Sequence, residues 1–198
     1  MKIFALADPH ANMKLLREVL REVDEGGYEV FLGLGDFMSK NFFSRLVTSL
    51  DVDKKSFIPG NRDFGIKKLP YLKNADSFDY GGIRFVMIGS HHFPNLKEEV
   101  TKRFEDVDPR NVIIGSHEPP EGVLDETHSG ARIGVPEFRE IIDEKQPLAW
   151  LCGHVHEAEG VSTVDNTKVV NASASRDVMG YRIVVEDEEL KEIKRLER

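Results

Sequence analysis

Side chains that bind divalent metal ions recur along this chain, each time after a short apolar run. The groups are Asp8-Pro9-His10, Gly35-Asp36, Gly60-Asn61-Arg62-Asp63, Gly115-Ser116-His117 and Gly153-His154-Val155-His156. Their carboxylate, imidazole and amide donors suit borderline and hard cations. Two aspartates, one asparagine and four histidines are too many ligands for one octahedral ion with an open position. They suit two ions roughly 3.5–4 Å apart that share one carboxylate, a pair that activates water and clamps a phosphoryl group.

The apolar runs that precede these groups predict an α/β fold. Residues 3–7 and 28–34 read as strands, and the apolar residues between them recur at helical spacing. A strand, a helix and a second strand at this spacing indicate a βαβ unit with a parallel pair of strands. Ligands bind beyond the carboxyl ends of such strands, where Asp8, His10 and Asp36 occur. We expect one sheet edge to gather the other groups as well.

Beyond the third motif the predicted pattern changes from parallel to antiparallel. Residues 77–80 and 83–88, separated by Gly81-Gly82, predict a hairpin. Further strands are predicted at 111–114, 148–152, 161–164, 168–171 and 181–186, and helices near 42–50, near 96–104 and after Pro136. Residues 118–132 read as a long loop, and the tail 188–198 as an edge strand or a short helix. We expect residues 1–198 to form one domain.

Composition limits the classes of partner. The formal net charge of −8 argues against extended nucleic acid or an anionic membrane. Cys152 is the only cysteine, so no intrachain disulfide can form. The chain starts in a strand pattern rather than a signal peptide, and no apolar run approaches the roughly 20 residues of a membrane span. We therefore expect a cytoplasmic location.

In their order along the chain, the five groups resemble the motif set of the calcineurin-like metallophosphoesterases, especially their small prokaryotic phosphodiesterase branch. The resemblance implies a four-layer αββα sandwich, in which two mixed β-sheets are flanked by helices. It also implies two divalent metal ions, for which we name manganese first and iron, nickel, cobalt or zinc as alternatives. One ion would bind Asp8, His10, Asp36 and His156. The other would bind Asp36, Asn61, His117 and His154.

One position departs from the family pattern. Where the family motif usually has a histidine that protonates the leaving group, this chain has Arg62. Arginine keeps its proton at any working pH and cannot be a general acid, but its planar fork can hold two phosphate oxygens. We therefore predict that Arg62 is a phosphate clamp, that a hydroxide bridging the ions attacks in line, and that phosphodiesters with stable leaving anions are preferred.

Several other residues are candidates for the site. Asp63 is grouped with Asp36 and Arg62 as catalytic, either orienting Arg62 or capping the next turn. The candidates for substrate binding are His91, His92, His128 and Arg132, and the three histidines among them could also supply the missing proton. For each of these four residues, an ordinary loop position is an alternative. Asn171-Ala172-Ser173 only partly resembles the family's Asn-Pro-Gly-Ser ending, and we assign no site there.

Two other functions stay open at this point. The first is a protein-interaction scaffold of the same fold, as in the retromer subunit that resembles this family, and the second is a nuclease. The presence of all seven expected ligands favours catalysis over a scaffold, and the acidic total argues against a nuclease. We expect a small phosphate-ester substrate and no membrane partner, and we leave a homo-oligomer open.

Overall fold

The structure is a computed structural model that describes residues 1–90 and 94–198. Its strands are β1 (Lys2–Leu6), β2 (Val30–Gly33), β3 (Lys54–Phe57), β4 (Ala75–Tyr80), β5 (Ile83–Ile88), β6 (Val112–Ser116), β7 (Ala149–Cys152), β8 (Gly160–Val164), β9 (Thr167–Asn171), β10 (Val178–Glu186) and β11 (Glu189–Glu197). Its helices are α1 (Met13–Gly26), α2 (Lys40–Ser49), α3 (Leu96–Thr101) and α4 (Pro136–Lys145). Within these residues, every helix is too short or too polar to cross a bilayer.

The strands form two mixed sheets. In the first, with the order β11-β10-β1-β2-β3, strands β1 to β3 are parallel and β10 runs antiparallel to both of its neighbours. In the second, with the order β4-β5-β6-β7-β9-β8, the inner strands are parallel and the edge strands β4 and β8 pair antiparallel. The predicted βαβ unit and the hairpin at Gly81-Gly82 are confirmed. The tail forms β11, an edge strand, rather than a helix.

Alternating side chains along the strands divide the core into layers. Leu32 of β2 and Leu151 of β7 belong to the cluster between the two sheets. Their sequence neighbours point to the opposite faces of the sheets. There Phe31 packs in one cluster with residues of α1 and α2, and Trp150 packs in another with residues of α3 and α4. The result is the predicted four-layer αββα sandwich, which is thereby confirmed.

Helix α1 begins just after the first ligand turn and fixes its direction. Asn12 Oδ1 accepts the backbone N–H groups of Lys14 and Leu15 at 3.1 and 3.0 Å. A side-chain cap of this kind stabilises a helix by about 1 kcal/mol. Gly27, with a φ of 64°, ends the helix in the left-handed conformation that glycine adopts without strain.

The predicted ligand loops follow strands of both sheets. The loops after β1, β2 and β3 extend from the first sheet, and those after β6 and β7 extend from the second. The expectation that a single sheet edge gathers all the ligands is therefore wrong. The two sheets are joined beside these loops, because the N–H of Ala7 donates to the Ala172 carbonyl at 3.1 Å.

Candidate metal centre

The predicted ligands meet in two overlapping groups of donor atoms. Donors of Asp8, His10 and His156 all lie within 4.8 Å of one another. Donors of Asp8, Asp36 and His117 do so as well. The loops of both sheets therefore converge on one site, and Asp8 belongs to both groups.

The remaining two predicted ligands surround His117. Asn61 Oδ1 lies 3.1 Å from His117 Nε2. The centre of the His154 ring lies 5.0 Å from that of His117, with the two rings nearly perpendicular. All seven side chains singled out in the sequence are thus brought together.

The two oxygens of Asp8 have different surroundings. Oδ2 accepts the backbone N–H of His154 and the hydroxyl of Ser173, both at 2.8 Å. Oδ1 is buried and has no hydrogen-bond partner among the described residues. It lies 3.6 Å from His156 Nε2 and 3.9 Å from His10 Nε2. Oδ2 therefore anchors the carboxylate, and Oδ1 is left to bind a cation.

Asp36 lies between histidines of the two groups. Its Oδ2 is 3.4 Å from His10 Nε2, and its Oδ1 is 3.7 Å from His117 Nε2. Oδ1 also accepts the backbone N–H of Arg62 at 2.8 Å. Asp36 thus lies between the two histidines that the resemblance assigns to different ions.

The fully buried His117 ring has its tautomer fixed by the backbone. Nδ1 lies 2.8 Å from the Leu34 carbonyl, which can only accept, so Nδ1 carries a proton. In the neutral ring, Nε2 then presents a lone pair to Asn61 Oδ1, which is also an acceptor. Burial lowers the pKa of His117, but nearby carboxylates, Asp8 foremost, raise it above its usual value.

These atoms fit a metal better than they fit one another. His10 Nε2, like Asp8 Oδ1, is buried without a partner in the described part of the chain. Leaving such a group unpaired costs about 1–3 kcal/mol. In the neutral ring the Nε2 lone pair of His117 faces Asn61 Oδ1 at 3.1 Å, an arrangement that a proton or a cation between the two atoms would stabilise. Oxygen and imidazole donors in this arrangement suit divalent cations.

The ionisation of the site favours metal binding. Burial raises the pKa of Asp8, but His156 and His117 outweigh it and bring the pKa to about 2. Burial also raises the pKa of Asp36, yet His10 and His117 lower it overall. The pKa of His154 is lowered by burial and by repulsion from His117. Metal ligands must be deprotonated, and these carboxylates and this imidazole meet that condition at neutral pH.

Four of the predicted ligands lie on left-handed backbone. The φ values are 55° at Asp8, 45° at His10, 60° at Asp36 and 70° at His154. This region costs a non-glycine residue about 1–3 kcal/mol and persists only where the surroundings enforce it. At Gly35, with a φ of 101°, an added Cβ would lie 2.5 Å from His117 Nδ1. Strained backbone at the ligands and close packing at Gly35 therefore occur together in the turns that lead from the strands into the site.

Arg62 and Asp63 have contrasting environments. Arg62 is exposed, and its backbone N–H holds it next to Asp36. Asp63 is buried, and its Oδ2 accepts the N–H groups of Asp36 and Gly60 at 2.8 and 2.9 Å. Its Oδ1 accepts the N–H of Met38 at 2.7 Å. Asp63 therefore ties the loops after β2 and β3 together, which is how a positioning residue acts.

The predicted substrate residues of the long loop are engaged elsewhere. His128 is exposed, and its backbone N–H donates to the Glu157 carboxylate at 2.6 Å. Arg132 pairs with Asp125 at 2.8 Å. Both line one surface cavity together with Glu157, the residue after His156. The other two candidates, His91 and His92, lie outside the described residues.

Sequence reasoning missed two residues behind the ligands. Ser173 hydrogen-bonds the Asp8 carboxylate, and Asn171 hydrogen-bonds the carbonyl of Val155, between His154 and His156. The only signal was the partial match of Asn171-Ala172-Ser173 to the family ending, which carries no chemistry by itself.

Solved structures share this fold over nearly their full length. A dimetal phosphatase from Danio rerio has a TM-score of 0.67 at 12% identity, covering 94% of this chain and 93% of that one. An archaeal phosphodiesterase has a TM-score of 0.59 at 15% identity, covering 100% of both chains. At such identities the likeness shows the fold alone.

Sequence comparisons add a relative and a family. A UPF0046 protein of Caenorhabditis elegans is 28% identical over 94 residues, which are 48% of this chain and 32% of that protein. The chain thus matches about a third of the length of this curated relative. The family model described as calcineurin-like phosphoesterase matches residues 1–158 of the 198 and includes all seven ligands. Because this match covers well over half of the sequence, the chain belongs to the calcineurin-like phosphoesterase family.

Proposed function

We propose that this chain is a phosphodiesterase that depends on two divalent ions. The observation that carries the proposal is a cluster of buried polar atoms. Asp8 Oδ1 and His10 Nε2 have no hydrogen-bond partner among the described residues. Beside them, Asn61 Oδ1 faces His117 Nε2 at 3.1 Å. Buried groups of this kind are stable around cations. When bound, two divalent ions would polarise the phosphoryl oxygens and make water nucleophilic at neutral pH.

The ligand set divides between two positions. The first ion would be held by Asp8, His10, Asp36 and His156. The second would be held by Asp36, Asn61, His117 and His154. The distances from Asp36 to His10 and to His117, 3.4 and 3.7 Å, support its role as the shared ligand. Manganese is our first choice, and iron, nickel, cobalt and zinc suit the same donors.

Arg62 would supply a permanent positive charge from the loop whose backbone contacts Asp36. Its guanidinium can bind two phosphate oxygens at once, which fixes the orientation of the ester. It cannot release a proton to the departing oxygen. The hydrogen bond from its backbone N–H to Asp36 keeps the residue beside the reacting phosphate in this proposal. We therefore assign Arg62 the role of phosphate clamp.

The preference for a diester rests on Arg62, which replaces the proton donor of the family motif and can hold two phosphate oxygens. The overall charge bears on the size of the substrate. The chain has a formal net charge of −8, and this acidic total disfavours long nucleic acids. We infer a small phosphodiester substrate in the cytoplasm, hydrolysed by residues 1–198 acting as one domain.

Turnover with defined metals tests the proposal. Metal-free protein is loaded with Mn²⁺ and assayed on bis(p-nitrophenyl) phosphate and on p-nitrophenyl phosphate. We expect the diester to be hydrolysed faster and Asp36→Asn to lose about 100-fold or more of the activity. Ser56→Ala, which alters a buried serine of β3 that bonds Asp76, is the matched control and should keep the activity.

Two experimental outcomes would contradict the proposal and support a different function. Absence of turnover with Mn²⁺, Fe²⁺, Ni²⁺, Co²⁺ and Zn²⁺ would favour the protein-interaction scaffold. Faster turnover of single-stranded DNA than of any small diester would favour the nuclease.

A further inference from the structure

Two polar side chains lie fully buried behind Asp8. They are Asn171, the last residue of β9, and Ser173, both 0% exposed. The backbone around them is fixed to the end of β1, because Ala7 bonds the Ala172 carbonyl at 3.1 Å and the Ala174 N–H at 2.9 Å. This link between the two sheets places Ser173 beside Asp8.

The hydroxyl of Ser173 determines which oxygen of Asp8 is used in hydrogen bonds to the protein. Ser173 Oγ lies 2.8 Å from Asp8 Oδ2 and 2.7 Å from Asn171 Oδ1. It has one proton for both acceptors, and a charged carboxylate is the stronger of the two. Since the His154 N–H bonds the same Oδ2, this oxygen has two protein donors and Oδ1 has none in the described residues. The carboxylate is thus oriented with Oδ1 towards the imidazoles.

Asn171 acts on the other side of the site. Its Nδ2 donates to the Val155 carbonyl at 2.8 Å, and its Oδ1 accepts the N–H of Ser173 at 3.2 Å. Val155 separates His154 from His156, so one buried amide holds the turn that carries both histidines. Losing that donor would leave the Val155 carbonyl only the N–H of Ala158, which donates to it at 3.1 Å from within the same turn.

We propose that Asn171 and Ser173 are positioning residues of the metal centre. Ser173 orients Asp8 so that it binds through Oδ1, and Asn171 fixes the turn of His154 and His156. This inference rests on the proposed metal centre and deepens it. Outer partners of metal ligands typically contribute 10–100-fold to metal affinity because they hold the ligands in place. A pair that merely joined the two sheets would contribute to folding stability and leave metal affinity unchanged.

Ser173→Ala is the direct test, with Ser56→Ala as its matched control. Ser56 is also buried, and its hydroxyl donates to the Asp76 carboxylate at 3.0 Å, so each variant removes one bond from a serine to a carboxylate. Metal-free protein is titrated with Mn²⁺ in a calorimeter. We expect Ser173→Ala to weaken the binding of one ion by about 10-fold or more, and Ser56→Ala to bind as the wild type does.

Asn171→Ala tests the second part of the proposal, in which Asn171 fixes the turn of His154 and His156. It can be measured even if Ser173→Ala does not fold. Because His154 and His156 are assigned to different ions, this variant should weaken both binding events. Thermal unfolding of the metal-free variants measures the purely structural effect, which Ser173→Ala and Ser56→Ala should share.

Two results would overturn the inference in distinguishable ways. Wild-type Mn²⁺ affinity in folded Ser173→Ala and Asn171→Ala would remove the positioning role and leave the proposed function intact. A wild-type protein that binds no Mn²⁺, Fe²⁺, Ni²⁺, Co²⁺ or Zn²⁺ would remove the metal centre and the positioning role with it.

Discussion

The imidazole of His117 faces Asn61 Oδ1 across 3.1 Å, while its other nitrogen donates to the Leu34 carbonyl at 2.8 Å. Two acceptors at this distance repel each other unless a proton or a metal ion lies between them. The raised pKa of His117, maintained against burial by Asp8 and other carboxylates, reflects the same demand for positive charge. A proton on Nε2 or a divalent ion between the two atoms would supply that charge.

Metal removal is accordingly expected to lower the stability of the fold. An ion present at 100 times its Kd adds about 2.7 kcal/mol per site to the free energy of unfolding. Calorimetric unfolding of the protein with Mn²⁺ and after chelation measures the difference as a shift in Tm. Asn61→Ala removes one acceptor and should reduce the shift. Identical Tm values with and without the ion would contradict the expectation.

The nature of residue 62 is expected to set the preference for leaving groups. With arginine, aryl diesters should react much faster than alkyl diesters, since an alkoxide needs a proton that Arg62 cannot supply. Arg62→His introduces a proton donor and should narrow the aryl-to-alkyl ratio of kcat/KM by about 100-fold.

Arg62→Gln separates the clamp from the proton donor. It removes the charge without adding an acid, so both substrates should slow together and their ratio should stay at the wild-type value. A ratio left unchanged by Arg62→His as well would count against this account of the substitution.

The ion pair of Glu18 and Arg198, remote from the predicted metal ligands, is expected to make folding stability depend on pH. Arg198 Nε donates to Glu18 on α1 at 2.7 Å and lowers the pKa of that carboxyl below its ordinary 4.5. Because the folded-state pKa is depressed, the pair's contribution is complete above pH 4.5 and is lost as the pH falls through the folded-state pKa. For a pair at the surface this contribution is about 0.5–1 kcal/mol.

Urea unfolding of metal-free protein checks this effect with Glu18→Gln. The variant should be less stable than the wild type at pH 7, and the difference should shrink as the pH falls below 4.5. A difference that grows on acidification would have the wrong sign and would reject the assignment.

Local patterns in the sequence were sufficient for the βαβ unit and for the strand ends that carry Asp8 and Asp36, whereas the four layers were implied by the family resemblance. An apolar run followed by Asp8 or Asp36 predicts a buried strand that ends in a carboxylate, and parallel strands bring such ends together. The cap of α1 is equally local, since the partners of Asn12 lie two and three residues away. Local features thus place each ligand at the end of its strand.

The supporting contacts depend on pairs far apart in the chain. Ser173 and Asp8 are separated by 165 positions, and Asp63 and Asp36 by 27. No periodicity or motif spacing relates such residues. The partial motif at Ser173 was therefore assigned no site, and Asp63 was expected to orient Arg62 or to cap the next turn. The origin of the ligands in two sheets was hidden for the same reason, because their meeting depends on how the sheets pack.

The buried Asp63 carboxylate provides the last prediction. It accepts the N–H groups of Asp36, Gly60 and Met38, and Asp63→Asn would set an NH₂ group against one of these donors. We expect the variant to lose about 3 kcal/mol of unfolding free energy in urea and to bind Mn²⁺ more weakly, because a buried donor is left unpaired and the loops of two ligands separate. Asp76→Asn, which alters a carboxylate bonded by Ser56, should leave Mn²⁺ binding unchanged. Wild-type stability and affinity in Asp63→Asn would show that backbone packing alone holds the two loops together.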